Sequence, residues 1–188
     1  EAVPIDALRR QLEVNVIGQV AVTQAFLPLL RKARGRVVNI SSLNGALASP
    51  YVGAYAASKF ALEAITDTLR QELRRWDISV SSVAPGAINT PIWEKSMAAG
   101  DRLAEQVAPE VLSLYEADLA AMREFVARTV RSASPVERVV RAVVHALTAK
   151  RPKTHYFLGW SVRVCFKGRK MLPDRVRDWI VRKLLGLS

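Results

Sequence analysis

The stretch RVVNIS at residues 36–41 decides the fold of this chain, together with the run ISVSSVA at residues 78–84. Both runs are short, rich in β-branched residues and mostly apolar, and Pro85 and Gly86 end the second one. Strands of this kind are typical of a parallel sheet that is covered on both faces, because neither side of such a strand is suited to water. The two runs therefore predict two buried, parallel strands.

Helical patterns alternate with these strands. The spacing of apolar residues predicts helices over residues 4–32, 53–76, 136–149 and 173–187, a third strand over 154–158, and a helix-bearing loop over 90–134. Such alternation indicates an α/β domain with a parallel sheet and right-handed crossovers.

The composition is that of a globular chain. Half of the residues (50%) are hydrophobic and 24% are charged, which excludes a disordered or collagen-like protein. Cys165 is the single cysteine, so no internal disulfide is expected and a reducing, cytoplasmic location is favoured. No unbroken run of 18 or more apolar residues occurs, and we therefore expect no transmembrane helix.

The net charge of +11 is concentrated at one end of the chain. Residues 150–188 carry eleven lysines and arginines against two aspartates, which accounts for +9 of the total. This tail includes a predicted amphipathic helix whose apolar face comprises Val176, Trp179, Ile180, Leu184 and Leu187. Docking of that face on the domain is the favoured explanation, and peripheral contact with a membrane surface is the alternative. Nucleic-acid binding is not expected, since no known binding motif accompanies the charge.

Tyr55 and Lys59 are four residues apart on a predicted helix, so both side chains lie on one helix face. A nearby cation favours the phenolate form of a tyrosine. A tyrosine tuned in this way exchanges a proton with an alcohol or ketone oxygen near neutral pH. A surface pair is the plainer explanation of a Y-x-x-x-K pattern that stands alone.

Small polar residues follow both predicted strands. Ser42 follows the first strand, at the edge of the sheet where open α/β folds bind ligands, and its hydroxyl can stabilise charge on a substrate oxygen. Pro85 and Gly86 end the second strand on the same edge, where glycine allows a close backbone approach. Thr90 can offer a hydroxyl to a cofactor. The alternative is that these residues form ordinary turns.

Four motifs together resemble the classical short-chain dehydrogenase/reductase family. They are VNVIG at 14–18, VVNISS at 37–42, YAASK at 55–59 and PGAINT at 85–90. The resemblance runs from the first helix to about residue 158. It implies a Rossmann-like, doubly wound parallel sheet, of which this chain carries the C-terminal portion. It also implies one incomplete domain over residues 1–188, with a catalytic portion over 1–158 and a basic amphipathic tail over 159–188.

The resemblance assigns roles to individual residues. NAD or NADP is the implied cofactor, and hydride transfer is the implied reaction. Tyr55 matches the general acid/base, and Lys59 matches the residue that tunes it and binds the nicotinamide ribose. Ser42 matches the residue that orients the substrate carbonyl, and Asn15 the residue that holds a water in a proton relay to Lys59. The positions that line the nicotinamide end match Pro85, Gly86, Ile88 and Thr90.

The glycine-rich turn with which the family binds the pyrophosphate does not occur in these 188 residues. We therefore expect that the protein is longer than this chain. We also expect that the first strand forms an exposed apolar edge in the chain as given. A non-catalytic fragment that serves as an assembly or membrane-surface module is the alternative function.

Residues 59–64 and 90–95, KFALEA and TPIWEK, resemble the steroid- and retinol-dehydrogenase-like branch, which implies a lipophilic alcohol or carbonyl substrate. The segment 92–129 is the implied substrate lid. Packing in a core is the favoured explanation of its apolar stripe, and a lipophilic pocket is the alternative. The stripe comprises Leu112, Leu114, Tyr115, Leu119, Met122 and Phe125.

The family resemblance also implies a homodimer or tetramer, in which the helices over 4–32 and 51–75 pair. His145 and His155 are read as structural residues that are isolated from each other and from any carboxylate cluster. No metal site is expected.

Overall fold

The computed structural model describes residues 1–168 and 171–187, in which helices and strands alternate. The strands are β1 (Arg36–Ile40), β2 (Ser79–Pro85) and β3 (His155–Leu158). The helices before β2 are α1 (Ile5–Leu12), α2 (Gly18–Ala33) and α3 (Gly53–Glu72). Those after it are α4 (Ile92–Ala104), α5 (Pro109–Ser113), α6 (Glu116–Arg131), α7 (Glu137–Thr148), α8 (Trp160–Gly168) and α9 (Asp174–Leu185).

Three short irregular helical turns complete the chain path. A π-helical turn, Glu13–Ile17, joins α1 to α2. A 3-10 turn, Leu43–Gly45, follows β1, and a second one, Leu73–Trp76, extends α3. Each predicted strand and long helix is thus found to within a few residues, whereas α8 is an element that the sequence pattern did not predict.

The three strands form one parallel sheet in the order β1-β2-β3. Val38 pairs with Ser81, and Val83 pairs with Tyr156. β1 lies at one edge of this sheet. The parallel sheet between helices confirms the predicted α/β, Rossmann-like fold class.

The two faces of the sheet carry different chemistry, because neighbouring strand residues point to opposite sides. On one face, α7 packs an apolar cluster of Ala142 and Ala146 against Val83 and Tyr156. On the other face, α3 meets polar strand residues: Asn39 donates to Thr66 across 2.8 Å. These contacts fix α3 over the sheet and α7 beneath it.

The connections from β1 to β2 and from β2 to β3 step in the same direction across the sheet. Two successive right-handed crossovers in one direction place both helices on the same face. Because α3 and α7 cover opposite faces, the two connections differ in hand. The expectation of right-handed crossovers is therefore wrong for one of them.

The chain divides into two compact units. One unit comprises Arg9–Gly86 and the chain from Glu137 to the end of α8, and it holds the whole sheet. The other comprises Glu1–Leu8, Ala87–Val136 and α9. Residues 169, 170 and 188 of the predicted basic tail lie outside the described residues.

Helices α4, α5 and α6 contain no buried residue. Leu114, which the sequence placed in their apolar stripe, is 72% exposed and lies between α5 and α6. The other five residues of the stripe are half-buried, so Leu114 is its exposed exception.

Helix α9 packs with Val181 and Leu185, which are buried, while Trp179 and Leu184 are 61% and 64% exposed. Of the predicted docking face, Leu187 is buried and Ile180 is half-buried, whereas Val176, Trp179 and Leu184 are exposed, so the prediction was right for part of the face only.

The helical stretch Ile5–Ala33 is long and apolar enough to cross a membrane, judged by length and composition only. We had expected no such helix because the sequence has no unbroken apolar run of 18 residues. By helix length and mean hydropathy, that expectation does not hold. Only 6% of its most apolar 18-residue window is buried, so burial in a core does not account for its apolar character.

Candidate active site

The first two turns of α3 place Tyr55 and Lys59 at the carboxyl end of β1. The ammonium of Lys59 donates to the carbonyl oxygen of Ile40 across 3.0 Å. The same nitrogen lies 5.7 Å from the centre of the Tyr55 ring. Both side chains are half-buried. The cation and the phenol therefore share one site, at the sheet edge where α/β folds bind ligands.

Ser42 lies two residues after the end of β1 and caps the 3-10 turn Leu43–Gly45. Its hydroxyl oxygen accepts a hydrogen bond from the backbone N–H of Asn44, at 3.2 Å. This contact is a turn-forming one, as the plainer explanation proposed. In this contact the Ser42 oxygen is the acceptor, so its hydroxyl hydrogen can still be donated to another group. The predicted role of Ser42 toward a substrate oxygen stays a prediction.

Gly45 brings the turn after β1 into close contact with α3. A Cβ at this position would lie 2.8 Å from Ser41 Oγ and 3.0 Å from Glu63 Cγ. It would also lie 3.4 Å from the carbonyl oxygen of Lys59. The absence of a side chain at Gly45 therefore lets the turn that begins at Ser42 approach the helix that carries Lys59.

Asn15 lies in the π-helical turn between α1 and α2, a rare geometry that is frequent at functional sites. Its side-chain amide donates to Ser58 Oγ across 3.1 Å. Ser58 in turn donates to the carbonyl oxygen of Tyr55 at 2.7 Å. Asn15 is thus linked to the helix turn between Tyr55 and Lys59, and its predicted water relay stays a prediction.

Pro85 is the last residue of β2, and Gly86 follows it. Two contacts explain why glycine fits at position 86. Its N–H donates to the carbonyl oxygen of Leu158 at 3.3 Å, and a Cβ there would lie 3.4 Å from Val162 of α8. Ile88 and Thr90 belong to the other compact unit. Within that unit, Ile88 pairs with Ser134 in an isolated bridge.

The structure adds a polar cluster that the sequence analysis missed. Glu63 is only 8% exposed, and its Oε1 accepts a hydrogen bond from Ser82 Oγ across 2.6 Å. His155 Nε2 lies 3.5 Å from Oε2 of Glu63 and 3.6 Å from Oδ1 of Asp67. The expectation that His155 is isolated from carboxylates is therefore wrong.

A sequence signal for this cluster existed. Glu63 and Asp67 continue the four-residue spacing that starts at Tyr55 and Lys59, so all four lie along one side of α3. The position of His155 on β3 could not be read from spacing, because it depends on strand pairing. His145 instead hydrogen-bonds the Tyr156 hydroxyl at 2.7 Å, which fits the structural role that was predicted for it.

Burial and neighbouring groups set the charges of the cluster. Burial alone would raise the pKa of Glu63, but hydrogen bonds from His155 and Ser82 and the charge of His155 hold that pKa below its ordinary value. Ser41 adds to this effect, although its buried hydroxyl reaches no partner with ordinary hydrogen-bond geometry among the described residues. Burial lowers the pKa of Lys59, and the Glu63 carboxylate acts in the opposite direction.

Comparison with known proteins agrees with this geometry. A family model described as short chain dehydrogenase matches residues 1–101. The chain belongs to the short-chain dehydrogenase family.

Across residues 1–168 and 171–187, no group of three or more histidine, cysteine, aspartate or glutamate side chains is arranged to hold a metal ion.

Several relatives of this short-chain dehydrogenase span nearly all of the chain. The chain is 40% identical to 3-amino-tetrahydro-pyrrolizinone reductase of Xenorhabdus hominickii, over 92% of the chain and 61% of the relative. It is 36% identical to human retinol dehydrogenase 5, over 95% of the chain and 58% of the relative. The chain thus spans about three fifths of the length of these relatives.

A solved structure shows the same fold. The crystal structure of a short chain dehydrogenase from Burkholderia cenocepacia, in complex with NADP, superposes with a TM-score of 0.63 at 22% identity. The match covers 97% of this chain and 62% of that one. At this identity the likeness supports the fold alone.

We predict that Gly45→Ala destabilises this short-chain dehydrogenase by about 1–3 kcal/mol, since the added methyl overpacks the contact between the turn and α3. Urea unfolding of the full-length protein measures the change. Gly53→Ala is the matched control, because no atom lies within 4 Å of a Cβ there. Equal midpoints for the two variants would show that the close approach at Gly45 is unimportant.

Proposed function

We propose that this chain is the catalytic part of an NAD- or NADP-dependent oxidoreductase that interconverts a lipophilic alcohol and its ketone or aldehyde. The observation that carries the proposal is the position of Lys59. Its ammonium is held on the carbonyl of Ile40 and faces the ring of Tyr55 at the carboxyl end of β1. A phenol beside a half-buried cation is suited to moving a proton to or from an alcohol oxygen.

The residues at this edge fit a nicotinamide cofactor. Tyr55 and Lys59 are two adjacent donors that are half-buried, and ribose hydroxyls are matching acceptors. Pro85 and Gly86 end the neighbouring strand at the same sheet edge. When bound, the nicotinamide ring supplies or accepts the hydride.

Each residue of the chain has a distinct role in the proposed reaction. During reduction, Tyr55 gives its phenolic proton to the carbonyl oxygen, and during oxidation the phenolate takes a proton from the alcohol. The charge of Lys59 stabilises that phenolate. Ser42 donates its hydroxyl hydrogen to the same substrate oxygen and stabilises the charge that develops there. Asn15, through Ser58, supports the helix turn that carries the pair.

The relatives support the choice of cofactor and substrate. One is named NADPH-dependent 3-dehydrocapnine reductase, from Ornithobacterium rhinotracheale, and is 36% identical to this chain. Others are named for retinol and for 17-beta-hydroxysteroids. We propose Ile88 and Thr90 as further residues at the nicotinamide end on the strength of the PGAINT motif.

We predict that Tyr55→Phe lowers kcat of the full-length protein about 10²–10⁴-fold, because the proton can no longer be transferred by a side chain. Steady-state oxidation of lipophilic secondary alcohols with NAD or NADP measures the loss. The control is Tyr156→Phe, which removes a hydroxyl bonded to His145 on the α7 face of the sheet and should leave kcat within about twofold. Full activity of Tyr55→Phe contradicts the mechanism, and activity confined to small polar alcohols contradicts the lipophilic substrate.

We further propose that a second copy of the chain covers an exposed apolar stripe on α2. Val22, Phe26 and Leu29 recur at helical spacing and are all more than half exposed, and large exposed apolar patches mark interaction sites. A homodimer or tetramer accounts for this stripe.

We predict that Phe26→Glu lowers the oligomeric mass of the full-length protein, because it buries a charge in the proposed interface. Light scattering on a sizing column measures the mass. Gln24→Glu, which adds the same charge at an exposed position two residues away, should leave the mass unchanged. A monomeric wild-type protein would refute the homodimer or tetramer.

The alternative function, a membrane-surface module, rests on α9. Trp179 and Leu184 are exposed beside Arg182 and Lys183, and the Lys183 ammonium lies 5.0 Å from the Trp179 ring centre. Exposed aromatic and apolar residues with neighbouring cations are typical of helices that lie on anionic membranes. On this basis we propose peripheral membrane contact, and we propose a cytoplasmic location because Cys165 is the single cysteine.

We predict that the full-length protein sediments with phosphatidylserine vesicles and that Trp179→Ala with Leu184→Ala reduces the bound fraction severalfold, since both changes remove apolar area from the contact. Leu114→Ala is the control, because Leu114 is exposed but lies outside α9. Equal sedimentation of all three proteins would remove the membrane proposal and leave the enzyme proposal intact.

A further inference from the structure

A buried carboxylate lies one helical turn beyond Lys59, and the proposed reaction does not use it. Glu63 projects from α3 toward the sheet and is 8% exposed. Ser82 of β2 donates to its Oε1 at 2.6 Å, and His155 of β3 lies 3.5 Å from its Oε2. Two strands therefore hold the two oxygens of one carboxylate.

The groups that face Glu63 come from every element packed against it. Lys59 and Asp67 lie one turn before and one turn after it on α3, and His155 faces it from β3. Ser82 faces it from β2, and the turn after β1 brings Gly45 to its stem. Ser41 also contributes to its environment. Of these groups, Lys59 is the one that belongs to the candidate active site.

A buried carboxylate is costly unless hydrogen bonds or a cation hold its charge. Here the donors on β2 and β3 favour the ionised form, and the pKa of Glu63 lies below its ordinary value. Glu63 is thus a fixed anion one turn from Lys59. Burial lowers the pKa of Lys59, and the Glu63 charge offsets part of that effect.

We propose that Glu63 is a positioning residue that keeps Lys59 charged beside Tyr55 and so extends the alkaline range over which the site works. Ser82 and His155 hold Glu63 on the sheet, and Glu63 acts on the reaction only through Lys59. The inference rests on the proposed roles of Tyr55 and Lys59.

The sign of the effect follows from the charges. Removing the anion removes the influence that opposes burial, so the Lys59 ammonium loses its proton at lower pH in Glu63→Gln than in the wild type. The charge that stabilises the phenolate is then lost earlier as the pH rises. The alkaline limb of kcat/KM therefore moves to lower pH, while activity near pH 6 changes little.

The direct test measures Lys59 itself in the full-length protein without added cofactor. The rate at which Lys59 reacts with acetic anhydride is followed against pH by peptide mass spectrometry, since only the neutral amine reacts. In Glu63→Gln we expect the curve to shift to lower pH and the rate near pH 8 to rise about threefold or more. An unchanged curve overturns the proposal.

Matched variants separate charge from structure. Glu72→Gln makes the same change at an exposed position on α3 and should leave the Lys59 curve unchanged. Glu63→Asp keeps the charge, so it should retain the wild-type curve and alkaline limb even where it lowers stability. If Glu63→Gln does not fold, Glu63→Ala also removes the charge and must give the same downward shift.

The two measurements, lysine labelling and the pH dependence of activity, keep this inference distinct from the proposed function. If the wild type shows no turnover, the proposed function fails, and the labelling curve still reports whether Glu63 controls the charge of Lys59. If Glu63→Gln loses activity equally at all pH values and its labelling curve is unchanged, Glu63 is structural only and the positioning role is wrong.

Discussion

Side-chain hydrogen bonds that tie α3 to the sheet are the interaction on which the candidate site depends. Thr66 accepts from Asn39 at 2.8 Å, Glu63 accepts from Ser82 at 2.6 Å, and Lys59 donates to the carbonyl of Ile40 at 3.0 Å. A buried polar group that loses its partner costs about 1–3 kcal/mol. Because rotation of α3 by one residue would break all three contacts together, the helix is held in one register, and that register places Tyr55 at the carboxyl end of β1.

The same constraint explains why the sheet is polar on one face and apolar on the other. Neighbouring residues of β2 alternate between Ser82, which binds α3, and Val83, which packs under α7. An apolar helix face could slide over an apolar sheet at little cost, whereas paired polar groups have one good arrangement. The α7 side supplies apolar burial, and the α3 side supplies the precision that a proton-transfer site requires.

The sequence predicted the strands, the long helices and the Tyr55–Lys59 pair. These features depend on the spacing of residues along the chain, which can be read directly from the sequence. It did not predict α8, whose Val162 and Val164 favour a strand by local preference. It also missed the burial of Val181 and Leu185 on α9, and it missed the contact of His155 with Glu63. These three features depend on which elements meet in space, and single-chain spacing carries no such information.

The central claim is that the sheet holds the first two turns of α3 as the place where a nicotinamide ribose and a substrate oxygen meet. A crystal structure of the full-length protein with NADP tests it most directly. The account predicts that the ribose hydroxyls lie within hydrogen-bonding distance of the Tyr55 hydroxyl and the Lys59 ammonium, with Lys59 still beside Ile40. A nicotinamide ribose bound away from these two side chains would contradict it.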